Sequence, residues 1–324
     1  MKCLIFHILK LFLVGIQAVS KKSYLSLTSV LLCSNLIQHV AAEPLTVYGR
    51  ANVSLQYADE GGDGFTEVSS NASRAGLKGD LALDNGMTVL YQIEWEVDLA
   101  NLSGSDNIKS RDQYVGLRGD FGTVYLGRKN TFTKTYSSRV DVFNDYQGDI
   151  KYIWKGENRL SESVSYESMD INGFHFGINY LTKGSEDGED GVTVGLRYGD
   201  LALKDSSWNA AFTVDSDING YDTQRASVQT KAGSWLLSAM AHRQKKSGQD
   251  ESEDGVLLSA QYSYEDWKFK SQYQSLEDDN SVSVGADYKL GKSTKTYIWY
   301  TMHSLDDKPD KSWLAIGLEH RFQN

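Results

Sequence analysis

Residues 281–289 read SVSVGADYK, and this stretch decides the fold class. Val282, Val284, Ala286 and Tyr288 alternate with polar or small residues, so one face of an extended segment is apolar and the other hydrophilic. Side chains of a β-strand point to opposite faces with period two, whereas a helix would need apolar residues three and four apart. The stretch therefore predicts a strand with one apolar face and one hydrophilic face.

The same alternation recurs through the rest of the chain from residue 45 onward. Segments 87–99 and 256–264 repeat it clearly, and no helix-length apolar run interrupts it. Short turns that contain Gly, Asn or Asp alternate with longer polar connections. We predict sixteen strands, near residues 45–57, 73–83, 87–99, 110–120, 123–129, 159–169, 174–183, 191–201, 206–215, 223–231, 234–243, 256–264, 267–274, 281–289, 293–303 and 311–322.

Two architectures can be built from such strands. A soluble sandwich would bury the apolar faces between two sheets, whereas an outer-membrane barrel would turn them to lipid and line a wet lumen with the polar faces. The even strand number, the alternation of short and long connections, and aromatic residues near strand ends, such as Tyr57, Trp95 and Trp267, favour the barrel. We therefore predict an all-β fold, a transmembrane antiparallel barrel whose closed sheet satisfies every backbone polar group in hydrocarbon.

The first 42 residues differ from the rest of the chain in charge. They hold four lysines, no carboxylate and both cysteines, whereas residues 43–324 hold 29 basic and 43 acidic side chains. A basic pair at 21–22 precedes an apolar stretch ending in small residues, which predicts a signal peptide cleaved after Ala42. Residues 1–42 are thus an N-terminal extension plus signal peptide, with a start in use downstream of Met1, near Val19. Residues 43–324 are the predicted barrel.

Several stretches resemble strands of the Gram-negative general diffusion porins. The first strand of that family is similar to residues 45–55 (LTVYGRANVSL), and its second begins like residues 73–79 (SRAGLKG). The match over residues 114–128 (YVGLRGDFGTVYLGR) is the most specific, and residues 157–168 and 317–322 extend the likeness. The resemblance implies a sixteen-stranded barrel in the bacterial outer membrane, with a long third loop folded into the lumen, assembled as a homotrimer among outer-membrane lipids.

The long connection over residues 129–158 is the candidate for a constriction of the lumen. Loops of this length in compact folds usually carry function, and such loops set the selectivity of channels. Asp141, Asp145 and Asp149 lie within it at four-residue spacing, which would align three carboxylates on one face of a short helix. We expect them to form the acidic side of the constriction.

For the opposite, basic side, the resemblance implies arginines on the barrel wall. The matching positions are Arg50, Arg74, Arg128 and Arg159, with Lys78 and Arg118 as secondary candidates. Alternation supports three of the four arginines independently, but it puts Arg128 on the lipid face unless a bulge at Gly127 changes the register. The resemblance also implies that Phe322 is read as an assembly signal, although Gln323 and Asn324 follow it here.

These residues predict passive diffusion of small hydrophilic solutes and ions, filtered by opposed charges. The net charge of −14 on residues 43–324 predicts a mild preference for cations and argues against a nucleic-acid partner. We expect no cofactor and no metal, since the four histidines of this region lie on separate strands without metal-ligand spacing.

Three alternatives remain open at this point. A sugar-specific porin would need an aromatic track, for which the loop offers Tyr136, Phe143, Tyr146, Tyr152 and Trp154. A surface adhesin or receptor could use the same barrel without an open pore. A hydrolase barrel is disfavoured because no local motif marks a nucleophile, so we predict no enzymatic activity.

Overall fold

A computed structural model describes residues 45–101, 107–184 and 190–324. The predicted signal peptide and its cleavage site after Ala42 lie outside the described residues. Within the described ranges no helix is both long enough and apolar enough to cross a membrane. Among the described residues the one α-helix, α1 (Phe132–Ser137), and a 3₁₀ helix (Ile150–Tyr152) both belong to the long connection identified above.

Antiparallel strands make up almost all of the regular structure. In chain order they are β1 (Thr46–Asp59), β2 (Phe65–Ser70), β3 (Arg74–Ala82), β4 (Thr88–Val97), β5 (Ile108–Gly119), β6 (Gly122–Asn130), β7 (Arg159–Glu167), β8 (Phe174–Leu181), β9 (Gly191–Tyr198), β10 (Trp208–Ile218), β11 (Tyr221–Ala232), β12 (Trp235–Lys246), β13 (Glu253–Tyr264), β14 (Trp267–Leu276), β15 (Asp279–Lys289), β16 (Thr294–Ser304) and β17 (Lys311–Gln323). Because β2 and β3 pair with the two halves of β1, they act as one barrel strand interrupted at residues 71–73. The predicted sixteen-stranded antiparallel barrel is confirmed.

The sheet closes on itself through its first and last strands. β1 pairs with β17 in one continuous register from Tyr48–Gln323 to Asp59–Ser312. The two residues after Phe322 prolong this seam, since Gln323 is part of β17 and the Asn324 N–H donates to the Val47 carbonyl at 3.1 Å. Closure leaves no free sheet edge, the condition for a sheet in lipid.

Burial in this barrel is inverted relative to a soluble protein. On β1, Ser54 and Gln56 are each 1% exposed, whereas Leu55 and Tyr57 are 52% and 50% exposed. The alternation holds on most strands, so the apolar side chains face outward around the circumference and the polar ones face inward. The outward band is matched to acyl chains and the interior to water. The soluble sandwich is therefore excluded.

Two details differ from the sequence expectation. The short segment β2 was not predicted, because its polar residues lack the apolar alternation. The connection between β9 and β10 runs from residue 199 to residue 207, although continuous alternation had predicted strands over 191–201 and 206–215. This connection is longer than the other described turns at its end of the barrel.

Candidate functional site

The connection between β6 and β7, residues 131–158, is hereafter called the long loop. It begins with α1, which is capped where the Thr131 hydroxyl accepts a hydrogen bond from the Lys134 N–H at 3.3 Å. The 3₁₀ helix is capped in the same way by Asp149, which accepts from the Lys151 N–H at 2.9 Å. Such caps satisfy backbone donors that short helices leave free. The loop is therefore an ordered segment with its own local structure.

Apolar side chains of the long loop pack against inward-facing residues of the barrel. Phe132 and Tyr136 pack with Ala211 of β10. Further along, Val140 and Trp154 cluster with residues of β12 to β14. Phe143 and Tyr146 cluster with residues of β1, β16 and β17, namely Ala58, Tyr297, Trp299, Trp313 and Ala315. The loop thus crosses the interior from the β10 wall to the β16–β17 wall.

Hydrogen bonds from the barrel wall fix the long loop along the same path. Gln272 donates to the Gly148 carbonyl at 2.9 Å and accepts from the Val142 N–H at 2.9 Å. Arg225 is 1% exposed and donates to Glu157 at 2.6 Å and to the Lys155 carbonyl at 2.8 Å. A buried charge needs such partners.

The three predicted carboxylates do not share a helix face. Residues 141–149 form turns, and Asp145 has a φ of +74°, a left-handed conformation that ends any helical run. The prediction that the three carboxylates share one face of a short helix is therefore wrong. Their spacing in the sequence carries no information about the turns that contacts with the barrel wall impose. Asp141 and Asp149 point instead into the loop itself, as their hydrogen bonds to loop N–H groups indicate.

Burial decides the ionisation of these two carboxyls. Burial and the adjacent Asp149 carboxylate raise the pKa of Asp141 to about 8, although hydrogen bonds from Ile150, Gln272 and Phe143 oppose the shift. Burial likewise raises the pKa of Asp149, against the opposing charge of Lys151.

Asp145 is the carboxylate of the three that contacts the basic wall. Its Oδ2 lies 2.6 Å from Arg50 Nη2 and 3.1 Å from Arg74 Nη2. Burial opposes its ionisation, but the two guanidinium groups outweigh burial and hold the pKa of Asp145 below its ordinary value. Loop and wall therefore meet as opposite charges at this point.

Sequence reasoning missed several charged residues around that contact. Arg111 of β5 donates to Glu94 at 2.6 Å and to Glu96 at 2.7 Å, and Glu94 in turn lies 3.9 Å from Arg74. The register of β4 against β5 shifts between Ile93 and Trp95, which breaks the alternation that would have revealed the inward side. A second missed group on β14 to β17 comprises Lys270, Asp287, Lys295 and Glu319, joined by ion pairs.

The remaining predicted wall residues lie at different places. Arg159 pairs with Asp112 at 2.7 Å and lies near the long loop. Lys78 and Arg118 line a separate cavity of about 270 Å³ that does not include Asp145.

The bulge at Gly127 that would turn Arg128 away from the lipid face is present. The register of β6 against β7 shifts between Gly127 and Lys129, and Gly127 has a φ of +128°. Even so, the Arg128 guanidinium donates to the Ser161 hydroxyl and does not line the cavities that contain Asp145. The neighbouring Lys129 Nζ lies 5.3 Å from the ring centre of Tyr114 and 4.5 Å from that of Tyr125. The bulge therefore does not bring Arg128 to Asp145.

Two large cavities in the barrel meet at Asp145. One of about 700 Å³ extends toward Lys151 and Tyr152, and one of about 440 Å³ extends toward Arg321 of β17. Both are lined by the same five residues, Arg74, Ser138, Asn144, Asp145 and Tyr146. A solute moving between the cavities would pass these side chains.

The loop aromatics are wall anchors rather than a track along the lumen. Tyr136, Phe143, Tyr146 and Trp154 are at most 6% exposed, and Tyr152 alone of the five is largely exposed, at 47%. Sugars stack on exposed rings, so the observation that kept a sugar-specific porin open is lost.

The lowered pKa of Asp145 predicts that the contact between the long loop and the barrel wall is sensitive to acid. Because its pKa in the folded protein is lowered, its ion pairs contribute fully above the ordinary carboxyl pKa of about 3.9 and are lost as pH falls through the lower folded value. We expect thermal unfolding midpoints of the protein and of Asp145→Asn to differ by a constant amount at about pH 5 to 7 and to converge on further acidification. A difference that persisted unchanged at about pH 2 would contradict this.

Comparison with known proteins agrees with this geometry. Residues 30–308 match the family model of the Gram-negative porins. The chain belongs to this family. It is 26% identical to the major outer membrane protein P.IB of Neisseria gonorrhoeae and 25% identical to that of Neisseria lactamica, in each case over 93% of this chain and all of the relative.

Solved porin structures share the fold at lower identity. An anion-selective porin from Comamonas acidovorans aligns with a TM-score of 0.68 at 18% identity, over 86% of this chain and all of that one. OmpF of Salmonella typhi aligns with a TM-score of 0.71 at 16% identity, over 86% and 98%. This porin is thus an outer-membrane protein of bacteria and a passive diffusion channel for small hydrophilic solutes, in a family whose members are channels.

Proposed function

We propose that the meeting point of the two cavities is the selectivity filter of this porin. The observation that carries the proposal is the pair of contacts from Asp145 to Arg50 and Arg74. They lie where the two cavities of the lumen meet. The ion pairs fix opposite charges side by side at the border of the passage between the two cavities, where they orient water and dipolar solutes. Small polar solutes keep favourable contacts there, whereas apolar solutes would disturb the oriented water.

The charges that line the filter favour anions. The cavity of about 440 Å³ is lined by seven basic and four acidic side chains, and the cavity of about 700 Å³ by five basic and six acidic ones. Burial raises the pKa of Asp141 to about 8 and also raises the pKa of Asp149, so the two cavities together keep an excess of basic charge. Screening limits the reach of a surface charge to about 8 Å at physiological salt, so acidic residues of distant loops contribute little inside the lumen. The local lining thus outweighs the net charge that had predicted a preference for cations. An anion preference is compatible with this fold, since the porin from Comamonas acidovorans that shares it is anion-selective.

Reversal potentials of the purified protein in planar bilayers test the selectivity. With KCl at different concentrations on the two sides, we expect the zero-current potential to shift toward the chloride equilibrium potential. A potential near that of potassium would overturn the proposed anion preference.

A homotrimer is proposed as the working assembly. The sequence resemblance implies it, and one solved neighbour of the same fold, OmpT of Vibrio cholerae, is described in a trimer form, with a TM-score of 0.64. The role of Phe322 as an assembly signal stays a prediction alongside it.

A further inference from the structure

The connection between β9 and β10, residues 199–207, is hereafter called the inner turn. Among the described turns at this end of the barrel, several span only two residues, such as 233–234 and 265–266. Two residues suffice to reverse an antiparallel pair. The additional length of the inner turn is therefore not required for the connection itself.

The inner turn is held in a defined shape. Asp200 accepts hydrogen bonds from the Ala202 N–H at 2.9 Å and the Lys204 N–H at 2.7 Å, and its own N–H donates to Ser206 Oγ at 2.8 Å. At its return limb, the Lys231 N–H donates to the Ser207 carbonyl at 3.1 Å. A turn fixed at both limbs keeps its tip in one place.

The tip of the turn borders one of the two cavities that meet at Asp145. Leu201 and Ala202 line the cavity of about 440 Å³, the same one that Arg50 and Asp145 line from the filter side. Other walls of this cavity include Gln229, Leu236 and Gln261, which are uncharged. A turn that merely closed the rim of the barrel would not border a cavity that reaches the filter.

The turn is also linked to the long loop. Arg197, near the end of β9, is 7% exposed, and its guanidinium lies 5.3 Å from the ring centre of Tyr136 in α1. The same guanidinium donates to the carbonyl of Gly199, the first residue of the turn. One buried side chain thus contacts both segments that enter the lumen.

We propose that the inner turn is a second restriction in series with the charged filter. Its tip offers the two apolar side chains Leu201 and Ala202, so it selects solutes by size and polarity rather than by charge. A solute that has passed Asp145 next meets this tip, in a cavity that Gln229, Leu236 and Gln261 also line. The pore therefore has a specificity determinant at the short-turn end as well as in the long loop.

Cysteine modification tests the position of the tip. Both cysteines of the sequence precede residue 43, so the thiol of Ala202→Cys would be the only one in the mature barrel. We expect the membrane-impermeant reagent sulfonatoethyl methanethiosulfonate to lower single-channel conductance of Ala202→Cys in discrete steps and to reduce its anion preference. The control is Lys204→Cys, at an exposed residue of the same turn that does not line the cavity, where the same modification should leave conductance unchanged.

Mass spectrometry of each sample establishes that the thiol has reacted. Complete modification of Ala202→Cys without a change in conductance would overturn the proposal. If that thiol does not react, Leu201→Trp tests the same proposal. A larger side chain at the tip must lower conductance and exclude larger neutral solutes. Unchanged conductance in Leu201→Trp would equally overturn it, and the reversal potential of the unmodified protein separately decides the charge filter.

Discussion

Asp145→Asn should raise the chloride-to-potassium permeability ratio by at least about fivefold. The substitution removes the negative charge of the proposed filter, where Asp145 contacts Arg50 and Arg74 at 2.6 and 3.1 Å. The two arginines then keep only more distant acidic neighbours, Glu319 at 3.8 Å from Arg50 and Glu94 at 3.9 Å from Arg74. Loss of one unit charge about 4 Å from a passing ion changes its energy by roughly 1 kcal/mol even in water, which is about a fivefold change in occupancy. The measurement is the reversal potential in a KCl gradient.

Asparagine is a suitable replacement at this position. It keeps the size of aspartate and tolerates the left-handed backbone at φ +74°, so the loop should retain its path. The matched control is Asp307→Asn, which removes the same charge from an exposed residue that also has a positive φ, of 55°. An equal shift in both variants would mean that overall charge, and not the filter, sets selectivity.

Arg225→Met should detach one limb of the long loop. Arg225 is 1% exposed and its guanidinium binds Glu157, Ser137 and the Lys155 carbonyl from within the lumen. Removal of one partner from a buried ion pair typically costs about 3–5 kcal/mol, because the remaining charge stays buried. Glu157 would keep Lys134, at 3.5 Å, as its basic neighbour, so the lower end of that range applies. We expect an unfolding midpoint in detergent micelles lower by roughly 5 °C or more. Single-channel records should also become noisy as the loop moves.

Two further variants separate loop anchoring from a general loss of charge. Arg243→Met breaks an equally short pair, with Arg243 Nε and Asp254 Oδ1 2.6 Å apart, but both side chains are more than half exposed. It should leave the unfolding midpoint and the current trace nearly unchanged, because exposed pairs contribute little. The double variant Arg225→Met with Glu157→Leu should recover most of the stability, since the buried carboxylate is gone and Lys134, the other partner of Glu157 at 3.5 Å, is 21% exposed and keeps contact with water. A double variant as unstable as Arg225→Met would rule out the buried charge as the cause.

The local pattern of the sequence was sufficient for the architecture. Alternation such as that of residues 281–289 depends only on each residue and its neighbours along the strand, and it separates the lipid face from the lumen face. Strand number and the exceptional length of the long loop follow from the same reading. Where local order was broken by a bulge, as between Ile93 and Trp95, the inward position of Arg111 was missed.

Tertiary structure alone decided which charges meet. Asp141, Asp145 and Asp149 are equivalent by spacing, yet the anchors on β12 to β17 turn two of them into the loop and one toward the β1–β3 wall. These contacts join residues nearly a hundred positions apart, such as Arg50 and Asp145, so no periodicity along the chain contains them. Polarity of a strand is a local property that sequence specifies, whereas the path of a loop is set by packing against distant strands, and the proposed filter depends on that path.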